Sequence, residues 1–411
     1  MNKRLLHTAL RNISRNKRRT ILSATAIAVA AMSIVMLFAL ITGMTNDMAY
    51  NLKNYYTGNI QIQHEDYAEF ERFNPIHLMV DWEDVKPALE DIEGISAVVA
   101  RTQFPVSLYI DETNHGAIGV GVDFADEAAY HDVENIVYEG RLPEDGKNEI
   151  IMGGTLAHDL KLEIGDRVTM LSTTASRGTN AITMEIVGIA SFPVTNMNSA
   201  VFWIPLDRAQ YFLRMDTGVQ SVLIKTDEDV KEKRLIPIIE EALLKETGTT
   251  FAVDSWKDIN MMFSLLKLAQ NVYYFVGIFF FLLGSTVIIN TTMMVIFERM
   301  REIGTLSALG MHGKELVRLF FLEGVVIATI GSFIGVTFGV VITEILGRVG
   351  IDFTDAMSGM DFEISSILYP EVNIPLSIFV FFYSVLIASL ASMIPSKKAA
   401  KIEPVEALRY I

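Results

Sequence analysis

Residues 297–324 read FERMREIGTLSALGMHGKELVRLFFLEG and lie between two long apolar runs. The stretch carries four acids (Glu298, Glu302, Glu315, Glu323) and four bases (Arg299, Arg301, Lys314, Arg318). Met300, Ile303 and Leu306 recur at helical spacing, so its first half has one apolar and one charged face. Gly304, Gly310 and Gly313 interrupt it, and a bend is expected between Gly310 and Gly313 before the next helix. Two readings fit: a rigid contact surface at a membrane face, or a helix lying on lipid headgroups.

Working outward, the 411-residue chain is 51% hydrophobic with a mean hydropathy of +0.34, too apolar for an ordinary soluble protein. Four uncharged runs, 20–46, 268–297, 324–343 and 372–396, each reach the roughly 30 Å of helix that a bilayer core needs. The first is too long for the apolar region of a cleaved signal peptide, so an uncleaved span is expected. The second would measure about 45 Å as a helix, so one end should leave the lipid. There is no cysteine, which excludes a disulfide framework and a thiolate metal site, and the seven histidines show no metal-ligand spacing. No metal is expected.

Charge orients the spans. Residues 1–19 hold seven bases and no acid, with Leu5, Leu6, Ala9, Leu10 and Ile13 on one helical face. The tail 397–411 is basic, and the 344–371 connection has six acids against Arg348. The positive-inside rule then puts both termini and the 298–323 loop in the cytoplasm. Residues 47–267 fall outside, with 37 acids against 18 bases, a balance that argues against nucleic acid as a partner. The expected fold is four transmembrane α-helices with a large α+β extracytoplasmic domain on a helical stalk.

Within that domain, strands are expected at 59–63, 96–101, 105–110, 117–122, 220–226 and 250–254, a turn at 111–116, and helices at 81–93 and 228–246. A mostly β insertion, about 124–218, lies between the two ends. Inside it we expect a strand at 149–152, a short helix at 155–160, a strand at 168–172 and a hairpin through 173–181 into 182–189. Residues 46–56 and 255–270 should be helical and form the stalk. In the third run Gly331, Gly335 and Gly339 make a doubled GxxxG, for packing within one chain or for a dimer seam. Pro395 should end the fourth helix.

No GxxxxGK[ST] is present, because the glycines of GMHGKE at 310–315 have the wrong spacing. GxSxG and HExxH are absent too. None of the four runs contains Asp, Glu, Lys, Arg or His, which argues against a proton- or ion-coupled pump. The chain is expected to be no enzyme and to bind no cofactor itself.

Four segments carry a resemblance. ALRNISRNKRRTILSATAIAVA near the N-terminus, RMREIGTLSALGMHGKELVRLFFLEG in the loop, IPSKKAAKIEPVEALRYI in the tail and the block 140–170 resemble the MacB/FtsX superfamily of ATP-binding-cassette (ABC) permease subunits, and within it the lipoprotein-release type. The resemblance implies a half-transporter with a MacB-like periplasmic core domain, working as a homo- or heterodimer with a second permease subunit. Two copies of a separate ATPase subunit, which bind ATP and Mg, would dock on the loop. The matching positions there are Arg299, Arg301, Glu302, Ile303, Gly304, Ala308 and Gly310. Movement would pass up the stalk, and the substrate would be a lipoprotein or another lipophilic molecule in the bacterial inner membrane, handed in that type to a periplasmic carrier.

The hairpin matching that type's carrier-binding hook, 173–181, is short here, so the chain is either a hookless partner or a relative with another substrate. The alternatives are an FtsX-like scaffold that regulates a cell-wall hydrolase, and efflux of a peptide or drug. The expected substrate-facing residues are Phe38 and Met44 at the outer end of the first span and Tyr274, Phe275 and Phe279 at that of the second. Phenylalanine and methionine suit adaptable acyl-chain cavities, whereas the tyrosines also fit an interfacial belt.

Overall fold

The computed structural model describes residues 7–259 except 8, 10, 12, 16, 111, 112, 132 and 228, a scatter of positions between 268 and 305, and 312–399 except 354–364 and 366. The chain divides into two compact units. A membrane unit comprises Met1–Thr45, Leu266–Asp352 and Ile367–Ile411, and a sheet domain comprises Asn46–Leu265 and Phe353–Ser366.

Among the described residues, three helices are long and apolar enough to cross a bilayer: Thr20–Tyr56, Gly313–Val349 and Ile374–Ile394. Uncharged runs of this length form helices because lipid offers no partner for a backbone N–H or C=O. The second apolar run falls largely outside the described residues; its positions 271–279 are helical. The helix Gly313–Val349 starts at the expected bend but well before the apolar run, and its 37 residues span roughly 55 Å, so the charged end and the span are one rod. The last helix, Ile374–Ala399, does not stop at Pro395. A proline removes one helical hydrogen bond, which kinks a membrane helix without ending it.

Two of these helices meet through the glycines. A Cβ on Gly331 would lie 2.7 Å from the Ala24 carbonyl oxygen, and one on Gly339 would lie 3.0 Å from the Cβ of Val35. Gly335 sits against the backbone of Ala28. The glycine stripe therefore faces the helix Lys17–Asn51 of the same chain. Beside it Ala31, Ile34, Val35, Phe38 and Ile41 pack with Val380. Near the N-terminus Ala9 is buried while Arg11 and Arg15 are exposed.

The sheet domain holds strands β1 (Ile60–His64), β2 (Val80–Asp81), β3 (Ile95–Ile110), β4 (Thr113–Val122), β5 (Val137–Gly140), β6 (Glu149–Gly153), β7 (Arg167–Thr173), β8 (Thr179–Ala190), β9 (Val201–Pro205), β10 (Gly218–Val219), β11 (Ser221–Thr226) and β12 (Phe251–Ser255). Ten of them form one sheet in the order β12-β1-β11-β3-β4-β9-β6-β8-β5, with β7 bridging β3 and β8. Helices Trp82–Glu90 and Glu232–Thr247 cover the first-to-last end of the chain's sheet, where Val85, Leu89, Leu235, Ile239 and Leu243 face Ile60, Ile62, Val222 and Ile224. A second core gathers Phe104, Val106, Leu108, Ile150, Met152, Phe202 and Phe212.

Two expected features differ. The strands expected at 96–101 and 105–110 are one, because Pro105 sits where its missing N–H costs nothing. β11 pairs with Ile95–Arg101 and β7 with Ser107–Tyr109 on the same side of β3, which leaves a gap between them. There the Gln103 N–H donates to Gln220 Oε1 at 3.1 Å and Ser172 Oγ donates to the Pro105 carbonyl at 2.7 Å. The turn expected at 111–116 is also shorter: β4 already runs from Thr113 and pairs with Ile110. The residues from 124 to 218 contribute strands to the same sheet, and also helices at Phe124–Tyr130 and Leu206–Leu213 that the sequence pattern did not disclose. The hairpin between β7 and β8 closes tightly, with Thr174 N–H donating to the Gly178 carbonyl at 2.8 Å.

Candidate functional site

The loop positions singled out above, Arg299, Arg301, Glu302, Ile303, Gly304, Ala308 and Gly310, lie outside the described residues. What is described is the start of the helix that follows. The His312 N–H donates to Glu315 Oε2 at 3.2 Å, so an acid of the next helical turn satisfies the donor just before the helix, where negative charge also favours the helix dipole.

Of the membrane residues, Phe38 and Tyr274 come together, edge to face, with ring centroids 5.1 Å apart. Gly277 lets the two helices close in, since a Cβ there would lie 2.9 Å from Phe38 Cε1. Phe275 is 68% exposed and Phe279 51% exposed, one helical turn apart on a face that Tyr274 does not share. Met44 is half-buried. Phe38 also lines a narrow crevice with Val35, Ala39, Leu376 and Val380.

The sheet domain contains a polar assembly that pattern reading missed. Arg101 on β3 forms a bidentate pair with Glu127 of the helix Phe124–Tyr130, Nε to Oε1 at 2.6 Å and Nη2 to Oε2 at 2.8 Å. Both side chains are almost wholly buried. Arg101 Nη2 also donates to the Asn54 carbonyl at 2.8 Å. Asn54 belongs to the π-helical turn Leu52–Tyr56, and Tyr130 Oη donates to the Lys53 carbonyl in that turn at 2.8 Å. Burial pushes the Arg101 guanidinium down, but the charge and hydrogen bonds of Glu127 outweigh it and hold it above the usual range. The guanidinium lies over Tyr130 and Trp203, and His131 stacks on Trp203 with centroids 5.9 Å apart. A single arginine inside the apolar stretch VVARTQF was the available signal, because a strand arginine facing a core must find a carboxylate.

A second joint ties residue 365, from the segment between the last two long helices, to residues near the start of this domain. Ser365 Oγ donates to Asp47 Oδ1 at 2.8 Å and its N–H to Asp47 Oδ2 at 2.9 Å. Asn51 Nδ2 donates to both Ser365 Oγ and Asp47 Oδ2 at 3.2 Å. Ser365 also bridges to Val194. The spacing of more than 300 residues left no sequence signal for this contact. Among the described residues no cluster of His, Cys, Asp or Glu is arranged to hold a metal ion.

Among the described residues, one long apolar helix leads into a mixed sheet domain, and two further long apolar helices follow that domain in the chain. The chain matches the family model of the MacB-like periplasmic core domain over residues 20–242 and that of the FtsX-like permease C-terminal over 274–404. It belongs to the MacB/FtsX family of ABC transporter permeases. It is 23% identical over 274 residues to the lipoprotein-releasing system transmembrane protein LolC of Xylella fastidiosa, a match spanning 64% of this chain and 65% of that protein. To the LolC of Neisseria meningitidis serogroup B it is 21% identical over 410 residues, 95% of this chain and 94% of that one. The crystal structure of the periplasmic region of MacB from Actinobacillus actinomycetemcomitans aligns with a TM-score of 0.39 at 16% identity, covering 53% of this chain and 97% of that one. Membership implies an ATPase partner subunit.

Proposed function

We propose that this permease couples ATP hydrolysis by two copies of a separate nucleotide-binding subunit, which hold ATP and Mg, to release of a lipoprotein or other lipophilic molecule from the outer leaflet of the inner membrane. It works as a dimer with itself or with a second permease, with both termini cytoplasmic, and delivers to a periplasmic carrier. The observation that carries this reading is the combination of long apolar helices with a MacB-like periplasmic core domain and an FtsX-like permease C-terminal part in one chain. Arg101 grips the turn at 52–56 and Asp47 grips Ser365, and all of these residues lie within the sheet domain. A domain braced internally in this way can move as one piece, as transmission of work without a transport pore requires. The ATPase docks on the 298–323 loop, with Arg299, Arg301, Glu302, Ile303, Gly304, Ala308 and Gly310 at the contact. Acyl chains are received beside Phe38, Met44, Tyr274, Phe275 and Phe279.

The test is reconstitution of the full chain with its ATPase in proteoliposomes that hold an acylated protein. ATP should release that protein into the aqueous phase, and Glu302→Lys or Gly304→Trp should abolish release while insertion is unchanged. A photo-crosslinker at Phe275 or Met44 should capture the acylated protein without ATP. Labelling of bulk phospholipid alone, with no ATP-driven release, would overturn the lipoprotein reading.

A further inference from the structure

The sheet ends at β12, and among the described residues no strand pairs with its outer side. Which backbone groups are free follows from the ladder. Asp254 is opposite Gln61 and Val253 opposite Ile62, and Trp256 N–H donates to the Asn59 carbonyl at 3.2 Å. In an antiparallel pair, inward and outward hydrogen bonding alternates. Residues 252 and 254 therefore bond to β1, and the N–H and C=O groups of Phe251, Val253 and Ser255 point outward. An open edge of this kind is a template for another strand.

Next to that edge runs a groove of about 390 Å³ between β12 and the helix Glu232–Thr247. Pro237, Leu243, Leu244, Phe251 and Val253 give it an apolar floor, and Glu240 and Glu241 are its charged lining residues. Leu244 is 52% exposed, an apolar side chain with no cover on its outer side. On the opposite face of the strand Asp254 is exposed, and burial together with the Asp258 charge pushes its carboxyl up. Acidic groups thus flank both faces of the edge, and a cation would relieve them.

We propose that β12 is a docking edge for an extended protein segment that alternates apolar and basic side chains. The segment adds as a further strand to the sheet. Its apolar side chains enter the groove over Leu244 and Val253, and its lysines or arginines, which alternate to the other face, meet Asp254. Main-chain bonds at Phe251 and Val253 supply the generic part of the recognition, and the groove and charge supply the selectivity. A second copy of this chain fits less well, since edge-to-edge pairing would bring acidic residues together. This surface is independent of the substrate proposal above.

The full-length protein in phosphatidylcholine nanodiscs would be titrated with a fluorescein-labelled peptide of three Lys-Val repeats, followed by anisotropy and by hydrogen exchange. Saturable binding is expected, with amide exchange slowed at Phe251 and Val253 and unchanged at Ala252. Asp254→Lys should weaken it by about tenfold or more, and so should Leu244→Asp, each removing at least one favourable contact. These residues are exposed, and thermal melting would confirm that both variants fold. Absence of binding would overturn the proposal. So would equal binding by either variant, equal binding of a peptide with N-methylated valines, or edge protection that grows with protein concentration without peptide, which would assign the edge to a second copy.

Discussion

Arg101 and Glu127 form a two-point ion pair, at 2.6 and 2.8 Å, in a part of the sheet domain closed to water. Removing one partner strands the other's charge. Glu127→Gln is expected to cost about 3–5 kcal/mol, whereas Arg101→Leu with Glu127→Leu should cost clearly less, because no buried charge is left. Chemical denaturation of the three proteins checks this. Equal losses in the single and double variants would mean that the pair acts through packing alone. The double variant also loses the grip on Asn54, so it should fold well yet release substrate poorly.

Asp47 accepts two hydrogen bonds from Ser365. Ser365→Ala removes the hydroxyl bond and leaves the backbone one, so about 1 kcal/mol of stability is expected to go. Asp47→Ala removes both and should lower ATP-driven release more than it lowers the melting temperature. Comparison of release with ATPase rate in the same preparation separates the two effects.

Gly335 lies against the Ala28 backbone with no room for a Cβ. Gly335→Ala should destabilise the detergent-solubilised protein by about 1–3 kcal/mol, the usual cost of overpacking. Val341→Ala, at a side chain 50% exposed, is the control expected to change little. A Gly335→Ala protein that melts like the wild type would show that these helices separate in detergent.

Burial holds His131 below the usual histidine range, and the Glu127 charge only partly offsets it. Unfolded, the ring titrates near about 6.5. As pH falls the unfolded chain therefore takes up the proton first. The stability owed to neutral His131 is complete above that value and is lost below it, by at most about 1.4 kcal/mol per pH unit. Asp145 and Asp254, whose carboxyls burial pushes up, change stability in the opposite sense at lower pH. Melting temperatures between pH 7.5 and 5.5 should fall for the wild type and flatten in His131→Gln.

The three described membrane helices and most of the strands were legible because their signals are local. An uncharged run of bilayer length, or a few alternating residues between turn formers, needs no knowledge of the rest of the chain. The misread places are those where a partner overrides the local rule. Pro105 reads as a strand end until β11 and β7 are seen to leave a gap beside it. The glycine stripe at 331, 335 and 339 fits a dimer seam or an internal one until Ala24 and Ala28 are in view. Asp47 and Ser365 cannot be linked by any spacing rule.

Strand β3 serves both cores of the sheet domain at once. Ala100 belongs to the core under the helix Glu232–Thr247, and Phe104, Val106 and Leu108 belong to the other. All four are even-numbered, so they share one face of one strand. They act as a single reading frame: slipping it by one residue would move the apolar side chains of both cores onto the strand's other face together. An insertion or deletion of one residue between 101 and 104 would put the two cores out of phase, and no local adjustment on either side could restore both. The chain can lengthen at its turns, but along this strand its count of residues is fixed.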